Sequence, residues 1–121
     1  MTLKQAAKKF KVAGLDSASL EGQEDAFRRC LSFLEGIEKS KAQNMRRGSY
    51  GLKHLVENPG QSAGTQNPSN TYTGHVYEGT FILAALAAGF EMQQQTDGVL
   101  RASFNISERS LRRRVSQLAK Q

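Results

Sequence analysis

The sequence predicts an α+β fold dominated by helices, with about five helices and one short antiparallel β-hairpin between residues 90 and 106. Apolar residues recur with helical spacing over most of the chain, and a nearly continuous apolar run begins at residue 81. An Asp-Gly pair between two short segments of loosely alternating polarity is typical of a hairpin. An all-α fold is the alternative, in which that pair interrupts a helix. The length of 121 residues suits a single domain over residues 1–121.

The first two helices are indicated by caps and by apolar spacing. Thr2 can cap a helix that Gly14 ends, and a second helix can begin near Ser17 or Ser19. Acidic residues suit the positive end of the second helix, and carboxylates can pair with arginines four residues later. The apolar positions of the first helix are Leu3, Ala6, Ala7 and Phe10; the acidic residues of the second are Glu21, Glu24 and Asp25, with Glu24–Arg28 and Asp25–Arg29 as the expected pairs.

A third helix and a long polar loop follow. Ser49 can cap this helix, and Asn58-Pro59-Gly60 can end it, because the residue before a proline disfavours helical angles. Residues 58–74 are rich in Gly, Ser, Asn, Gln, Thr and Pro, and loops of this length are usually either functional or disordered. The apolar face of the helix consists of Tyr50, Leu52, Leu55 and Val56.

The second half of the chain predicts a central helix, the hairpin and a final helix. Residues 77–89 are apolar on nearly every side, which indicates a buried helix that Gly89 ends. The hairpin pairs residues 90–95 with residues 99–106 around Thr96-Asp97-Gly98. Ser107 can cap the last helix, whose buried stripe is predicted to be Leu111, Val115 and Leu118.

Charge and cysteine content indicate the compartment and the class of partner. Lysine and arginine number 17 against 11 acidic residues, a formal charge of +6, which favours partners with negative surfaces, nucleic acid first. Cys30 is the single cysteine and falls in an apolar helical series, so it is expected in the core of a protein of the reducing cytoplasm. Residues 81–90 form the most apolar stretch, about half the length of a membrane span, so no membrane partner is expected.

Arginines cluster on the last helix and before the third. Residues 106–114, with the sequence ISERSLRRR, resemble the turn and recognition helix of helix-turn-helix DNA-binding domains, in which arginines reach guanine edges and phosphates. Arg101 and the Asp97-Gly98 break before this segment depart from that motif. A capped surface helix with a solvated basic face is the simpler interpretation. The predicted nucleic-acid-binding residues are Arg46, Arg47, Lys53, Arg109, Arg112, Arg113 and Arg114.

Two His-x-x-Glu pairs are the only sequence pattern that suggests a metal site or catalysis. His54 with Glu57, and His75 with Glu78, would share a helix face and could hold a metal together if their segments met. Ordinary hydrogen bonds or ion pairs are the favoured interpretation. The chain has no glycine-rich phosphate loop after a strand, no cysteine pair and no serine in a nucleophile elbow. The sequence therefore predicts neither an enzyme nor a cofactor.

Three strings, SYGLKHLVE at 49–57, EGTFILAALAAGF at 78–90 and FNIS at 104–107, resemble a group of small accessory proteins carried on plasmids, integrative elements and prophages. The resemblance implies a role in the transfer, the regulation or the defence of such an element, including anti-CRISPR inhibition. It implies no activity for any single residue.

The leading hypothesis is therefore a non-enzymatic binding protein of a mobile element that acts on nucleic acid or on a host nucleoprotein complex. The alternatives are a helix-turn-helix regulator that uses residues 106–114 and a protein-binding adaptor that uses residues 58–77, including Tyr72 and Tyr77. A protein partner and a homodimer remain compatible with the sequence.

Overall fold

The computed structural model describes residues 1–59, 74–94 and 100–119. Within these residues it contains five α-helices, one 3₁₀ turn and a two-stranded antiparallel sheet, which confirms the predicted α+β class and shows that the all-α alternative is wrong. The helices are α1 (Leu3–Lys9), α2 (Glu24–Leu34), α3 (Ser49–Glu57), α4 (Glu78–Ala87) and α5 (Glu108–Ala119), the 3₁₀ turn is Ser17–Leu20, and the strands are β1 (Met92–Gln94) and β2 (Ala102–Phe104).

Helix α4 lies at the centre of the fold and packs against α1, α2 and α3. Residues 79–85 of this helix are all buried, as its unbroken apolar sequence predicts. Phe81 contacts Phe104 of β2 edge to face, with ring centroids 6.0 Å apart. Gly89 has a φ of 93° and confirms the predicted left-handed stop after the helix. The core therefore joins the helices to the hairpin.

The hairpin positions the chain around α5. Met92 pairs with Phe104 and Gln94 with Ala102, which confirms the antiparallel pairing; the predicted Thr96-Asp97-Gly98 turn lies outside the described residues. Residues 39–48 run beside the other edge of β2. The amide of Asn44 donates to the Phe104 carbonyl at 2.8 Å, and the amide of Ser40 donates to the Asn105 carbonyl at 2.8 Å. This segment thereby reaches the start of α5.

Side-chain caps begin the first and the last helix. Thr2 and Gln5 form a reciprocal capping box, and Ser107 Oγ accepts the Ser110 amide at 3.2 Å, so both predicted caps are confirmed. Helix α1 ends at Lys9, however, and not at Gly14. Phe10 is already extended, which allows Phe10, Val12 and Leu15 to pack on the core.

The predicted second helix is divided into two pieces. Residues 17–20 form a 3₁₀ turn capped by Asp16, and Gly22 has a φ of 74° before α2 begins at Glu24. Glu21 therefore lies outside the helix. Arg28 is close to both Glu24 and Asp25, whereas Arg29 donates to the Gly74 carbonyl at 3.2 Å. Cys30 is buried, as predicted, and burial is the main reason that its pKa is raised to about 12.

Ser49 does not act as a side-chain cap. Gly48 occupies the cap position and Ser49 is the first residue of α3. The Ser49 hydroxyl is fully buried, donates to the Glu78 carboxylate of α4 and accepts the Ala102 amide of β2 at 3.0 Å. This single hydroxyl joins α3, α4 and β2.

Among the helices of the described part, none combines the length and the apolar character that crossing a membrane requires.

Candidate nucleic-acid interface

Arg109 and Arg113 form an exposed basic stripe on α5. They lie four residues apart on the side of the helix away from the buried Leu111 and Val115. Within residues 1–59, 74–94 and 100–119, neither guanidinium makes a hydrogen bond or an ion pair. Both side chains therefore keep all their donors for an external anion.

Glu108 holds two more arginines beside this stripe. Arg47 Nη2 lies 2.8 Å from Glu108 Oε2, and Arg47 Nε donates to Oε1 at 3.2 Å. Arg112 Nε donates to the same carboxylate at 2.9 Å, and Asn44 Nδ2 donates at 3.0 Å. The hydrogen bond from Arg47 is the largest cause that lowers the pKa of Glu108 to about 2, against the opposing effect of burial. The same hydrogen bond raises the pKa of Arg47.

Arg46 precedes Arg47 in the chain. Its side chain is exposed, and its amide donates to Asn44 Oδ1 at 3.1 Å, which fixes the turn before Arg47. We call these five arginines, three on α5 and two in the segment before α3, the arginine face. It contains one carboxylate, Glu108, so its net charge is clearly positive. Its members are Arg46, Arg47, Arg109, Arg112 and Arg113.

Two of the seven predicted binding residues lie elsewhere. Lys53 is buried, and its Nζ donates to Glu57 Oε2 at 3.2 Å. It therefore forms an internal ion pair and is not available to an external ligand. Arg114 donates to the carbonyls of Ser32 and Phe33 at 2.8 and 3.1 Å. These carbonyls belong to the last turn of α2, where a cation favours the negative end of the helix dipole. Because all seven predicted residues are basic, the sequence does not show that Lys53 and Arg114 make internal contacts.

A strand precedes the arginine-bearing helix. Residues 102–104 form β2, and Ser107 follows it as the cap of α5. A helix-turn-helix motif requires a helix at this position. The described residues before α5 therefore do not form that motif.

A second cluster, which sequence reasoning resolved only in part, surrounds Glu57. His54 Nδ1 lies 2.8 Å from Glu57 Oε1, and His75 Nδ1 lies 3.1 Å from Oε2. The Val76 amide donates to Oε2 at 2.7 Å. Burial raises the pKa of Glu57, but the Val76 amide and the hydrogen bond and charge of Lys53 outweigh it and lower the pKa.

The two His-x-x-Glu segments thus meet, but not as two equivalent pairs. Both histidines contact Glu57, whereas Glu78 accepts the hydrogen bond of Ser49. In the part of the chain that the structure describes, no three His, Cys, Asp or Glu side chains are arranged to hold a metal ion.

Each histidine of this cluster also contacts a tyrosine. Tyr50 meets His54 edge to face with centroids 4.5 Å apart, and Tyr77 meets His75 in the same way at 4.4 Å. Tyr50 and Tyr77 are 49% and 44% exposed. In the sequence, the only indications of this cluster are the spacings Tyr-x-x-x-His-x-x-Glu at residues 50–57 and His-x-Tyr at residues 75–77. We call these residues the histidine cluster: Tyr50, His54, Glu57, His75 and Tyr77.

Replacing Glu108 by glutamine tests the network of the arginine face through stability at acid pH. Because the pKa of Glu108 is lowered from 4.5 to about 2, its contribution to stability is complete above pH 4.5 and is lost as the pH falls towards 2. We expect the Glu108→Gln variant to be less stable than the wild type at pH 6 and nearly equal to it near pH 2. Urea denaturation followed by circular dichroism over this range measures the difference. A difference that does not change with pH would contradict the proposed network.

Comparison of the chain with models of known protein families, with curated proteins and with solved structures finds no match. The resemblance to accessory proteins of mobile elements therefore stays a prediction.

Proposed function

We propose that this protein binds nucleic acid through the arginine face. The observation that carries the proposal is the exposed pair Arg109 and Arg113, which has no partner among the described residues and lies beside Arg47 and Arg112. A surface with five arginines and one carboxylate attracts a polyanion. Arginine is also suited to phosphate, because its planar guanidinium can donate two parallel hydrogen bonds.

The Glu108 carboxylate lowers the positive charge of the arginine face, but it also orients two of its side chains. Arg47 uses Nε and Nη2 on Glu108, and Arg112 uses Nε, so Nη1 of Arg47 and both terminal nitrogens of Arg112 stay available to a ligand. The carboxylate holds these long side chains in one orientation. Less side-chain freedom is then lost when a phosphate binds.

The target class implied by the resemblance, a nucleoprotein complex of the host, is compatible with this surface. The basic surface would contact the nucleic acid of such a complex or an acidic patch of its protein. The adaptor hypothesis depends mainly on residues 60–73, which lie outside the described residues, and it stays a prediction.

Neutralising the two exposed arginines tests the proposal. We expect the Arg109→Gln, Arg113→Gln double variant to bind labelled single-stranded and duplex nucleic acid at least tenfold more weakly at low salt. Its plot of log affinity against log salt concentration should be shallower by about 1 to 2, because up to two fewer counterions are released. Fluorescence anisotropy between about 50 and 200 mM salt measures both quantities.

The matched control is the Lys4→Gln, Lys8→Gln variant of α1, whose two lysines are also exposed. It removes the same charge from a different helix and should retain most of the affinity. Equal losses in both double variants would show that only net charge matters and would contradict a localised interface. Absence of wild-type binding at low salt would overturn the proposed function.

A further inference from the structure

The histidine cluster shares no residue with the arginine face, and it places two surface histidines on one carboxylate. Two half-exposed imidazoles, with side chains 48% and 52% exposed, contact the two oxygens of one buried carboxylate. Both contacts are made through Nδ1. A group that only stabilised the fold would not need two solvent-accessible rings held on one anchor.

We propose that His54 and His75 form an acid–base site that cleaves RNA by attack of a ribose 2′-hydroxyl on the adjacent phosphodiester. The inference rests on the proposed function only in that the arginine face would retain a long RNA. It departs from the non-enzymatic protein that the sequence predicts, because the contact of His54 and His75 with one carboxylate is visible only in the structure.

Glu57 determines which nitrogen of each imidazole can react. A neutral histidine whose Nδ1–H donates to a carboxylate has its lone pair on Nε2, where it can accept a proton. A buried carboxylate beside an imidazole also fixes the orientation of the ring. Glu57 Oε1 is within hydrogen-bond distance of His54 Nδ1 at 2.8 Å, and Glu57 Oε2 lies 3.1 Å from His75 Nδ1. One imidazole can therefore act as base while the other acts as acid.

The charge around the cluster suits an anionic substrate. Lys53 Nζ lies 3.2 Å from Glu57 Oε2 and balances the carboxylate. The guanidinium of Arg101 lies 5.4 Å from the centroid of the Tyr50 ring, at the edge of the cluster. A phosphodiester near the two histidines thus meets no net negative charge from these groups.

The tyrosines supply a surface for bases. Tyr50 and Tyr77 are both about half exposed and flank the two histidines. Exposed aromatic rings stack on the bases of single-stranded nucleic acid with little sequence preference. Tyr77 follows His75 by two residues, so a base stacked there would place its backbone near the imidazole.

The choice of RNA follows from the nucleophile. Cys30 is buried in the core, and the Ser49 hydroxyl is occupied by Glu78 and Ala102. The hydroxyl of Thr80 is buried and donates to Gln23 at 2.9 Å. Each tyrosine contacts its histidine through the ring edge. Among the described residues named here, these nucleophilic groups are buried or engaged, whereas a ribose carries a hydroxyl beside every phosphate and can itself provide the attacking group.

The reaction needs no other reagent. Nε2 of one histidine takes the proton of the 2′-hydroxyl as O2′ bonds to phosphorus. The P–O5′ bond breaks, its electron pair stays on O5′, and the second histidine, protonated at the start, gives its proton to that oxygen. The products are one strand that ends in a 2′,3′-cyclic phosphate and one that begins with a 5′-hydroxyl.

The test uses the full chain with a ribodinucleotide and with a labelled single-stranded RNA, without added metal. We expect slow cleavage that yields cyclic phosphate and 5′-hydroxyl ends, and none with the corresponding 2′-deoxy substrates. The His54→Asn and His75→Asn variants should each lose about 100-fold or more of the rate. Asparagine can still donate to Glu57 from its amide nitrogen but has no Nε2. Melting temperatures establish that the variants are folded, and the Lys4→Gln, Lys8→Gln variant should cleave the dinucleotide at the wild-type rate.

Three results would overturn the inference: no cleavage by the wild type, equal cleavage by either asparagine variant purified in the same way, or cleavage of the deoxy substrate. The substrate and product analyses use the wild type alone and so remain decisive if a variant does not fold. Binding to uncleavable 2′-O-methyl RNA is measured separately. Binding without cleavage refutes only the acid–base site, and dinucleotide cleavage without binding of the longer RNA refutes only the proposed interface.

Discussion

Replacing Phe81 by alanine is expected to lower the free energy of unfolding by about 3 to 5 kcal/mol, the usual range when a buried phenylalanine leaves a cavity. Phe81 is fully buried on α4 and meets the ring of Phe104, also fully buried. A domain of this size has a total stability of roughly 5 to 15 kcal/mol. The variant should therefore unfold at a much lower urea concentration than the wild type.

The matched control for Phe81 is Phe10→Ala. Phe10 packs on the rim of the core and is only half-buried, so the same truncation should have less than half the effect. Urea denaturation followed by far-ultraviolet circular dichroism compares the two variants. Equal losses would mean that α4 and β2 do not form the centre of the core.

Replacing Lys53 by methionine is expected to cost about 3 kcal/mol of stability and to leave nucleic-acid binding unchanged. Methionine keeps the apolar stem of lysine but removes the charge that lies 3.2 Å from the buried Glu57 carboxylate. Removal of one partner of a buried ion pair leaves the other charge uncompensated. This outcome is the reverse of that expected for Arg109 and Arg113, which should affect binding and not stability.

The Lys53→Met, Glu57→Gln double variant is the corresponding control. It removes both charges, so it should be more stable than the sum of the two single losses predicts. Urea denaturation at pH 7 measures the stabilities, and anisotropy at low salt measures the binding. A Lys53→Met variant that folds normally but no longer binds would return Lys53 to the interface and contradict its assignment to the interior.

The sequence correctly predicted helix ends that are determined by residues adjacent to them in the chain. The caps at Thr2 and Ser107 and the stop at Gly89 were predicted because each satisfies a helix end with its own side chain or backbone freedom. Errors occurred where packing overrides local preference. Phe10 leaves the helix to pack on the core. The division of the predicted second helix has a local cause instead, the positive φ of Gly22.

The candidate sites depend on contacts between distant segments, and sequence alone does not give these. Arg47 and Glu108 are 61 residues apart, and Arg114 and Ser32 are 82 residues apart. The sequence does not distinguish an arginine that binds a distant residue of the same protein from one that is exposed to solvent. The histidine pairs illustrate the same point: their spacing was visible, but the contact of His75 with Glu57 depends on how the chain returns after α3.

Glu108 gives the arginine face a built-in counterion. Arg47 and Arg112 are already paired with this carboxylate, so a phosphate that binds them displaces fewer ions from solution than the number of arginines suggests. The carboxylate also competes with the phosphate throughout the lifetime of the complex. In the proposed complex with nucleic acid, this competition limits affinity and accelerates dissociation, and it partly offsets the gain from side chains that are already oriented.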